Sequence, residues 1–279
     1  MTSDPQDPDP QDPQDPASRR DPAARLAAYL DLGDTRRNLP GVTVRDAATM
    51  MVIDRTGAAP TVLLGRRHHA HKFMPGKYVF PGGRVEAADR RAAAAGRLDS
   101  RMETRLMQAM RRPSAAKARG FALAAVREVF EETGLALGTP DGGVPSALAP
   151  GPGVSAEADG AAAEWAKFAA TGVVPELSKL HFIARAITPP GRPRRFDTRF
   201  FAVDAAAIAA RVTGVVGPDT ELVELVWLPL DATSQLDIAP ITLAVLEELR
   251  IRAAAGFGPD VPVPFYREYR GKRLRTLIP

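Results

Sequence analysis

The chain has 279 residues, 45% of them hydrophobic and 25% charged, which is enough apolar material for a substantial globular core. It contains no cysteine, which excludes disulfides, thiolate metal sites and cysteine nucleophiles. The formal net charge is +4. Because six aspartates and only two arginines fall within residues 1–22, the remaining chain carries a larger positive surplus, which favours anionic ligands such as nucleotides.

No run of about 18 apolar residues predicts a membrane-spanning helix. The start of the chain is acidic and rich in proline, unlike a secretory signal peptide. We therefore expect a cytoplasmic protein without a membrane partner. Residues 1–22 repeat Asp-Pro and Gln-Asp-Pro units, which bury almost nothing and block regular structure, so we expect a disordered tail there.

The remaining chain is expected to form one domain over residues 40–257, with insertions near 89–120 and 138–175 and a C-terminal extension over 258–279. Residues 24–32 predict a short helix ahead of this domain. The first insertion is rich in Ala and Arg at helical spacing, and the second begins with a stretch dense in Gly, Pro and Ala.

Short apolar runs bounded by turn residues predict strands, and apolar positions recurring at three and four residues predict helices. The predicted strands are residues 49–54, 61–64, 77–80, 181–187, 198–203 and 222–228. The predicted helices are residues 121–133, 161–170 and 241–255, with a loop over 138–160. Gly134 suits the C-terminal cap of the first of these helices. This order predicts an α/β (α+β) architecture, in which a mixed β-sheet lies between helical layers.

Three glutamates, Glu128, Glu131 and Glu132, stand at positions i, i+3 and i+4 of the helix predicted over 121–133. Their side chains therefore project from one helical face and repel one another at close range. A hard divalent cation such as Mg²⁺ or Mn²⁺ prefers oxygen ligands and would compensate that repulsion. Bound there, it would neutralise phosphoryl oxygens and activate a water that attacks phosphorus. The alternative is a solvated helix surface on which Arg127 pairs with Glu131.

The residues around this cluster resemble the box of the Nudix hydrolase family, written G-x5-E-x7-R-E-U-x-E-E-x-G-U with U bulky and apolar. Every fixed position of its second half is matched, by Arg127, Glu128, Val129, Glu131, Glu132, Gly134 and Leu135. Gly83 resembles the glycine that opens the box, and Asp89 stands where the family has its first glutamate. About thirty extra residues separate Asp89 from Arg127, so an insertion interrupts the box.

The resemblance implies a Nudix-type α/β/α sandwich with helical insertions, and hydrolysis of a diphosphate linkage. The expected ligands of Mg²⁺ or Mn²⁺ are Glu128, Glu131 and Glu132. One of these carboxylates is expected to assist deprotonation of the attacking water. Arg127 is expected to orient the cluster through charge-assisted hydrogen bonds. Gly82 and Gly83 are expected to let the backbone turn tightly beside the phosphates.

The segment over residues 63–83, LLGRRHHAHKFMPGKYVFPGG, resembles a degraded form of the motif that precedes the box in coenzyme A diphosphatases. Residues 195–201, RFDTRFF, are similar to a segment of the peroxisomal animal members of that group, which also have an interrupted box. The resemblance implies coenzyme A or acyl-coenzyme A as substrate, cut to 3′,5′-ADP and (acyl-)phosphopantetheine. The cations expected to contact its phosphates are Arg67, Lys72, Arg195 and Arg199.

Several alternatives stay open. The same chemistry would serve ADP-ribose, dinucleotides or other nucleotides, and a non-catalytic nucleotide-binding sensor would keep the fold without turnover. No DNA-binding module is recognisable, and the family resemblance allows a homodimer. Outside the box, Glu221 and Glu224 are candidates for an additional catalytic base. His68, His69 and His71 allow a transition-metal site, although no cysteine accompanies them.

Overall fold

The computed structural model describes residues 41–70, 75–140, 160–232, 237–258 and 260–279. The disordered tail predicted over 1–22 and the helix predicted over 24–32 lie outside these ranges. His71, Lys72 and most of the loop predicted over 138–160 also lie outside them.

The described ranges contain four α-helices: α1 (Ser100–Met107), α2 (Ala115–Thr133), α3 (Ala161–Ala169) and α4 (Pro240–Ala254). They also contain thirteen strands: β1 (Val44–Asp54), β2 (Thr61–Arg67), β3 (Tyr78–Val79), β4 (Gly82–Arg84), β5 (Leu135–Leu137), β6 (Thr139–Pro140), β7 (Val173–Val174), β8 (His181–Ile187), β9 (Arg195–Asp204), β10 (Ile208–Arg211), β11 (Leu222–Pro229), β12 (Val263–Tyr269) and β13 (Lys272–Ile278). Within the same ranges, no helix is long and apolar enough to cross a membrane.

In the described part of the chain, nine strands form one mixed sheet. Its main order is β11-β2-β1-β9-β8-β12-β13, with β3 paired to β2 and β4 paired to β1. β1 and β9 run parallel, as do β8 and β12, whereas the other pairs of this sheet are antiparallel. Two small ladders, β10 with β5 and β6 with β7, lie outside the main sheet.

The side chains of the central strand β1 alternate between two hydrophobic cores on opposite faces of the sheet. Met50 and Val52 belong to one core, together with residues of α1, α2 and α3. Met51 and Ile53 belong to the other core, together with residues of α4. The sheet therefore lies between helical layers, and the predicted α/β/α sandwich with a mixed sheet is confirmed.

Helix α2 begins six residues before the helix that the apolar periodicity predicts. Residues 115–120 are small or polar and so contribute no apolar pattern, but Ser114 caps the helix with its hydroxyl, which accepts a bond from the Lys117 amide at 3.2 Å. The helix ends where predicted. Gly134 has φ of 74°, and its amide donates to the carbonyl of Phe130 at 2.8 Å.

The Ala- and Arg-rich segment over 89–120 is only partly helical. Its helix α1 starts at a local cap, because the Asp99 carboxylate accepts a bond from the Met102 amide at 3.0 Å. Met102 and Leu106 then bury against the core that contains α2. The residues between Asp89 and Asp99 form turns and irregular structure, since they contain few large apolar side chains.

Residues 258–279, predicted as a C-terminal extension, contribute β12 and β13 to the main sheet. Tyr269 pairs with Lys272 across a two-residue turn, in which Arg270 and Gly271 have φ of 50° and 74°. Two successive positive φ angles are typical of a type I′ hairpin turn. The extension is therefore a hairpin at the edge of the sheet. The sequence pattern did not predict its two strands, because charged residues interrupt their short apolar runs.

Candidate active site

A cleft of about 1420 Å³ opens beside the C-terminal half of α2. Four carboxylates line it: Glu128, Glu131, Glu132 and Glu221. Eight arginines also line it: Arg45, Arg67, Arg84, Arg192, Arg194, Arg195, Arg267 and Arg273. Because it combines a compact group of carboxylates with many guanidinium groups, the cleft suits a polyanionic ligand.

Strand β4 brings two glycines against the carboxylate side of the cleft. Gly83 and Gly82 pair with Ala48 and Thr49 of β1. A Cβ added at Gly83 would lie 2.5 Å from Oε1 of Glu128, and one added at Gly82 would lie 2.4 Å from Oγ1 of Thr49. Both positions therefore require glycine, because any side chain would displace Glu128 or the neighbouring strand.

Replacement of Gly83 by alanine is expected to move the Glu128 carboxylate without unfolding the protein, because a carboxylate shifts more easily than a paired strand. We expect the rate of diphosphate hydrolysis to fall roughly tenfold to a hundredfold. The melting temperature should stay within about 4 °C of the wild-type value. Gly217→Ala is the matched control, since a Cβ there meets nothing within 4 Å. Wild-type activity in Gly83→Ala would contradict this account.

Arg127 is buried at the centre of the site, where only 3% of it is exposed. Its Nε donates to Oδ1 of Asp89 at 2.8 Å, and its Nη1 donates to Oε2 of Glu131 at 2.7 Å. The same Nη1 lies 2.9 Å from Oε1 of Glu128, and Nη2 donates to the carbonyl of Arg84 at 2.9 Å. Burial opposes the charge of Arg127, but the carboxylate contacts outweigh burial and raise its pKa. One rigid guanidinium thus holds two glutamates of α2.

Asp89 is completely buried behind Arg127 and is not among the residues that line the cleft. Its Oδ2 accepts a bond from the amide of Glu86 at 2.8 Å, and its Oδ1 accepts one from the indole Nε1 of Trp165 at 2.9 Å. Trp165 belongs to α3, in the second insertion, and no sequence pattern pointed to it. The direct contact of Asp89 with Arg127 joins the two halves of the interrupted box in space.

The three glutamates of α2 have raised pKa values. Burial, with repulsion from Glu131, raises the pKa of Glu128 to about 7 against the lowering effect of Arg127. Burial also raises the pKa of Glu131, again opposed by Arg127. Burial and repulsion from Glu221 and Glu128 raise the pKa of Glu132 well above its ordinary value. The protein groups around the cluster therefore do not fully compensate its negative charge.

These pKa values predict how the stability of the metal-free protein depends on pH. The pKa of Glu128 is 4.5 in its ordinary state and about 7 in the folded protein. Between these values the folded state binds more protons than the unfolded state, so the free energy of unfolding should fall as pH rises through this window. Chemical denaturation from pH 4.5 to 8 in chelator measures the fall. Saturating Mg²⁺ should abolish it, whereas stability that rises with pH in chelator would contradict the assignment.

The cluster fits a divalent cation by its donor chemistry. Its donors are carboxylate oxygens, which suit Mg²⁺ or Mn²⁺, and Oε2 of Glu132 is buried without a hydrogen-bond partner. A cation would supply the missing partner and the missing positive charge. Within the described ranges, no three carboxylate or histidine groups already converge as a complete metal site. The contacts of Arg127 with Glu128 and Glu131 draw those two carboxylates toward the guanidinium.

The two acidic candidates outside the box occupy different places. Glu221 lines the cleft, and its Oε1 accepts a bond from Nη2 of Arg67 at 2.6 Å. Glu224 accepts bonds from Arg66 at 2.9 Å and from the Tyr78 hydroxyl at 2.6 Å, and these bonds lower its pKa. Glu221 is therefore placed to act on a ligand in the cleft, whereas Glu224 is held in a separate ion pair.

The histidines considered as transition-metal ligands contact protein groups. Nδ1 of His68 accepts a bond from the Ala70 amide at 3.0 Å. Nε2 of His69 lies 3.3 Å from Nη1 of Arg66. His71 lies outside the described residues. The part of the chain that the structure describes thus offers these histidines no converging third ligand.

Arg195 and Arg199 reach different surroundings although both lie on β9. Arg195 lines the cleft, and its Nε donates to the carbonyl of Thr188 at 3.1 Å. Arg199 is fully buried, with Nη1 at 2.8 Å from Oδ1 of Asp197 and its guanidinium carbon 4.0 Å from the centre of the Phe121 ring. Side-chain alternation along β9 points Arg199 into the core that contains α2. This position corrects the prediction that Arg199 contacts substrate phosphates.

No family model matches the chain. Over 233 residues it is 29% identical to the acyl-coenzyme A diphosphatase NUDT19 of Homo sapiens, a match that covers 70% of this chain and 60% of that protein. Over 177 residues it is 30% identical to the acyl-coenzyme A diphosphatase NUDT19 of Gallus gallus, covering 50% of this chain and 47% of that protein. The chain thus spans about half the length of the curated relatives it matches.

A Nudix hydrolase from Alicyclobacillus acidocaldarius, solved as a crystal structure, is similar along almost its whole length. It is 30% identical to this chain with a TM-score of 0.52, and the match covers 76% of this chain and 96% of that chain. The sequence identity therefore extends over nearly the whole of a Nudix hydrolase. In addition, the residues of the Nudix box meet beside the cleft of this chain. The chain is therefore a hydrolase of the Nudix family.

Proposed function

We propose that the protein hydrolyses the diphosphate linkage of coenzyme A or an acyl-coenzyme A, giving 3′,5′-ADP and phosphopantetheine or its acyl derivative. The geometric observation that carries the chemistry is the buried carboxylate cluster that opens into an arginine-lined cleft. The similarity of about 30% identity to two acyl-coenzyme A diphosphatases supports the choice of substrate. The segment over 63–83 supports it too, because it resembles the motif of that group and ends at the glycine pair beside Glu128.

In this proposal, the residues that hold Mg²⁺ or Mn²⁺ are Glu128, Glu131 and Glu132. The bound cation would supply charge neutralisation at phosphoryl oxygens and activation of the attacking water. Arg127 keeps Glu128 and Glu131 in position through the bonds that it makes from its buried place. One carboxylate of the cluster accepts the proton of the attacking water while the water oxygen bonds to phosphorus. The bridging phosphorus–oxygen bond of the diphosphate breaks, and the leaving phosphate keeps its electron pair.

The cations of the cleft bind the remaining phosphate oxygens. Arg67 lies close enough to Glu132 to influence its pKa, so it can contact a phosphate at the cleavage point. Arg195 lines the cleft from the start of β9. Gly82 and Gly83 keep side chains out of the space in which the diphosphate approaches the backbone. Lys72, also expected to contact a phosphate, lies outside the described residues.

The experiment incubates the full chain with Mg²⁺ or Mn²⁺ and a panel of coenzyme A, acyl-coenzyme A, NADH, ADP-ribose and diadenosine polyphosphates. Mass spectrometry identifies the products, and Glu131→Gln serves as the inactive control. We expect coenzyme A and acyl-coenzyme A to yield 3′,5′-ADP with the highest kcat/KM of the panel. Preferred cleavage of ADP-ribose or a dinucleotide would support diphosphate hydrolysis but contradict coenzyme A as the substrate. Binding without cleavage of any member would favour the sensor function.

A further inference from the structure

We infer that Trp165 is a positioning residue for the cation site proposed at the three glutamates of α2, which it reaches through Asp89 and Arg127. Trp165 belongs to α3, in the second insertion, and does not line the cleft. Any effect that it has on the cation must therefore pass through other side chains. The inference rests on the proposed function, because it takes those glutamates as the cation ligands. It adds a residue outside the box that sets how tightly they bind.

An unbroken series of hydrogen bonds joins the indole of Trp165 to the carboxylate cluster. The indole Nε1 donates to Oδ1 of Asp89 at 2.9 Å, and the same oxygen accepts a bond from Nε of Arg127 at 2.8 Å. Nη1 of Arg127 lies 2.7 Å from Oε2 of Glu131 and 2.9 Å from Oε1 of Glu128. The position of the indole therefore bears on two of the proposed ligands through one guanidinium.

Each oxygen of the Asp89 carboxylate has a donor besides Arg127. Trp165 donates to Oδ1, and the backbone amide of Glu86 donates to Oδ2 at 2.8 Å. Asp89 is fully buried and only 3% of Arg127 is exposed, so bulk water does not compete for these bonds. Without the indole donor, the plane of the carboxylate would depend on one amide and on Arg127 itself. The indole bond is therefore needed for Asp89 to fix the direction of the guanidinium.

Aromatic packing holds the indole against the helix that carries the glutamates. The Trp165 ring meets Phe168 edge to face, with 5.4 Å between the ring centres. Phe168 is fully buried and meets Phe130 of α2 in the same way at 5.1 Å. Phe130 directly precedes Glu131 in the chain. The apolar part of Trp165 is thus anchored on α2, while its N–H is directed at Asp89.

The two insertions also bond directly to each other. The amide of Ala95 donates to the carbonyl of Pro175 at 2.8 Å, and the amide of Leu177 donates to the carbonyl of Ala95 at 3.1 Å. Ala95 follows Asp89 in the first insertion, and Pro175 follows Trp165 in the second. These backbone bonds hold together the two segments that carry the indole and the carboxylate. The bond between Trp165 and Asp89 is therefore part of a larger contact between the insertions.

Calorimetric titration of the full chain with Mn²⁺ tests the inference without a substrate. Groups that orient metal ligands change metal affinity by about tenfold to a hundredfold when they are replaced. Trp165 lies further from the ligands and contributes one hydrogen bond, so its effect should be smaller. Trp165→Phe keeps an aromatic ring but loses the N–H, and we expect Mn²⁺ binding to weaken about threefold to tenfold. Unchanged or tighter binding in this variant would overturn the inference.

Trp227→Phe is the matched control, because Trp227 is 38% exposed on β11 and does not line the cleft. This variant makes the same chemical change elsewhere and should keep the wild-type affinity for Mn²⁺. Equal weakening in both variants would show that the effect does not pass through Asp89, and it would also overturn the inference.

The indole resonances give a readout that a merely structural role of Trp165 would not move. The chain has two tryptophans, so a ¹⁵N-labelled sample gives two indole N–H signals, which Trp227→Phe assigns. Titration with Mg²⁺, which is diamagnetic, should shift the signal of Trp165 to saturation and leave that of Trp227 in place. A signal of Trp165 that stays unmoved while Mg²⁺ binds would overturn the inference.

Kinetics separate the inference from the proposed function. With a diphosphate that the wild type cuts, Trp165→Phe should need more Mg²⁺ for its half-maximal rate. Excess Mg²⁺ should restore most of kcat, because the ligands themselves are intact. If coenzyme A is cut but Trp165→Phe binds cations as the wild type does, the inference fails and the proposed function stands. If coenzyme A is not cut but Trp165→Phe weakens cation binding, the inference stands without that substrate.

Discussion

The Glu132→Gln variant is expected to lose about 10²- to 10³-fold in kcat for diphosphate hydrolysis while it keeps its fold. Glutamine preserves the shape of the side chain but removes the charge proposed to bind the cation. In chelator, the variant should be as stable as the wild type or more stable. The reason is that Glu132 is buried and repelled by Glu128 and Glu221, so its ionised form costs free energy without a cation.

Steady-state kinetics with Mn²⁺ and thermal denaturation in chelator measure these two effects. Glu103→Gln is the matched control, because Glu103 lies on α1 and does not line the cleft. In the wild type, Mn²⁺ should raise the melting temperature by mass action, and in Glu132→Gln this rise should shrink. A variant with wild-type kcat would refute the role in cation binding. A large loss of stability in chelator would instead assign Glu132 a structural role.

The Asp89→Asn variant is expected to lose about 3–5 kcal/mol of stability, because it removes the most deeply buried of the three carboxylates that compensate the buried charge of Arg127. For a domain of this size, that loss corresponds to a fall of roughly 6–20 °C in melting temperature. Activity should fall as well, because Arg127 also holds Glu128 and Glu131. Thermal denaturation by circular dichroism measures the first effect, and kcat measured below the transition gives the second.

Asp219→Asn is the control for this variant, because Asp219 is exposed. A milder change tests the contribution of α3. Trp165→Phe removes one donor to Oδ1 of Asp89 but leaves the bond from Arg127, so we expect a loss of about 1 kcal/mol. Trp227→Phe is its control, since Trp227 is 38% exposed on β11. Equal stability of Asp89→Asn and wild type would contradict the buried ion pair.

The contact between Asp89 and Arg127 explains how the box tolerates a long interruption. The residues inserted between them form turns and α1, which packs on the same core as α2 without entering the ion pair. Asp89 and Arg127 can therefore form the same contact as they would in a box without the insertion. The second insertion contributes Trp165, whose indole N–H donates a hydrogen bond to the carboxylate of Asp89. Both insertions therefore pack on the buried side of the site, behind Arg127.

Local sequence patterns are enough to predict the parts of the site that depend on local geometry. Glu128, Glu131 and Glu132 share one side of α2 because their spacing matches the helical period. Gly134 ends that helix because its positive φ is a property of the residue itself. The layered fold was also predictable, since strand and helix periodicities are local signals.

The distant residues that complete the site are identified by the folded structure and not by any local pattern. Asp89, Trp165 and Arg127 meet across separations of 38 and 76 residues, which leave no periodic trace in the sequence. Arg195 and Arg199 lie four residues apart and so share one face of β9, yet Arg195 lines the cleft at the start of the strand and Arg199 is buried under α2. A strand pattern shows that these two side chains share a face, but which part of that face a helix covers depends on the layers packed against the sheet.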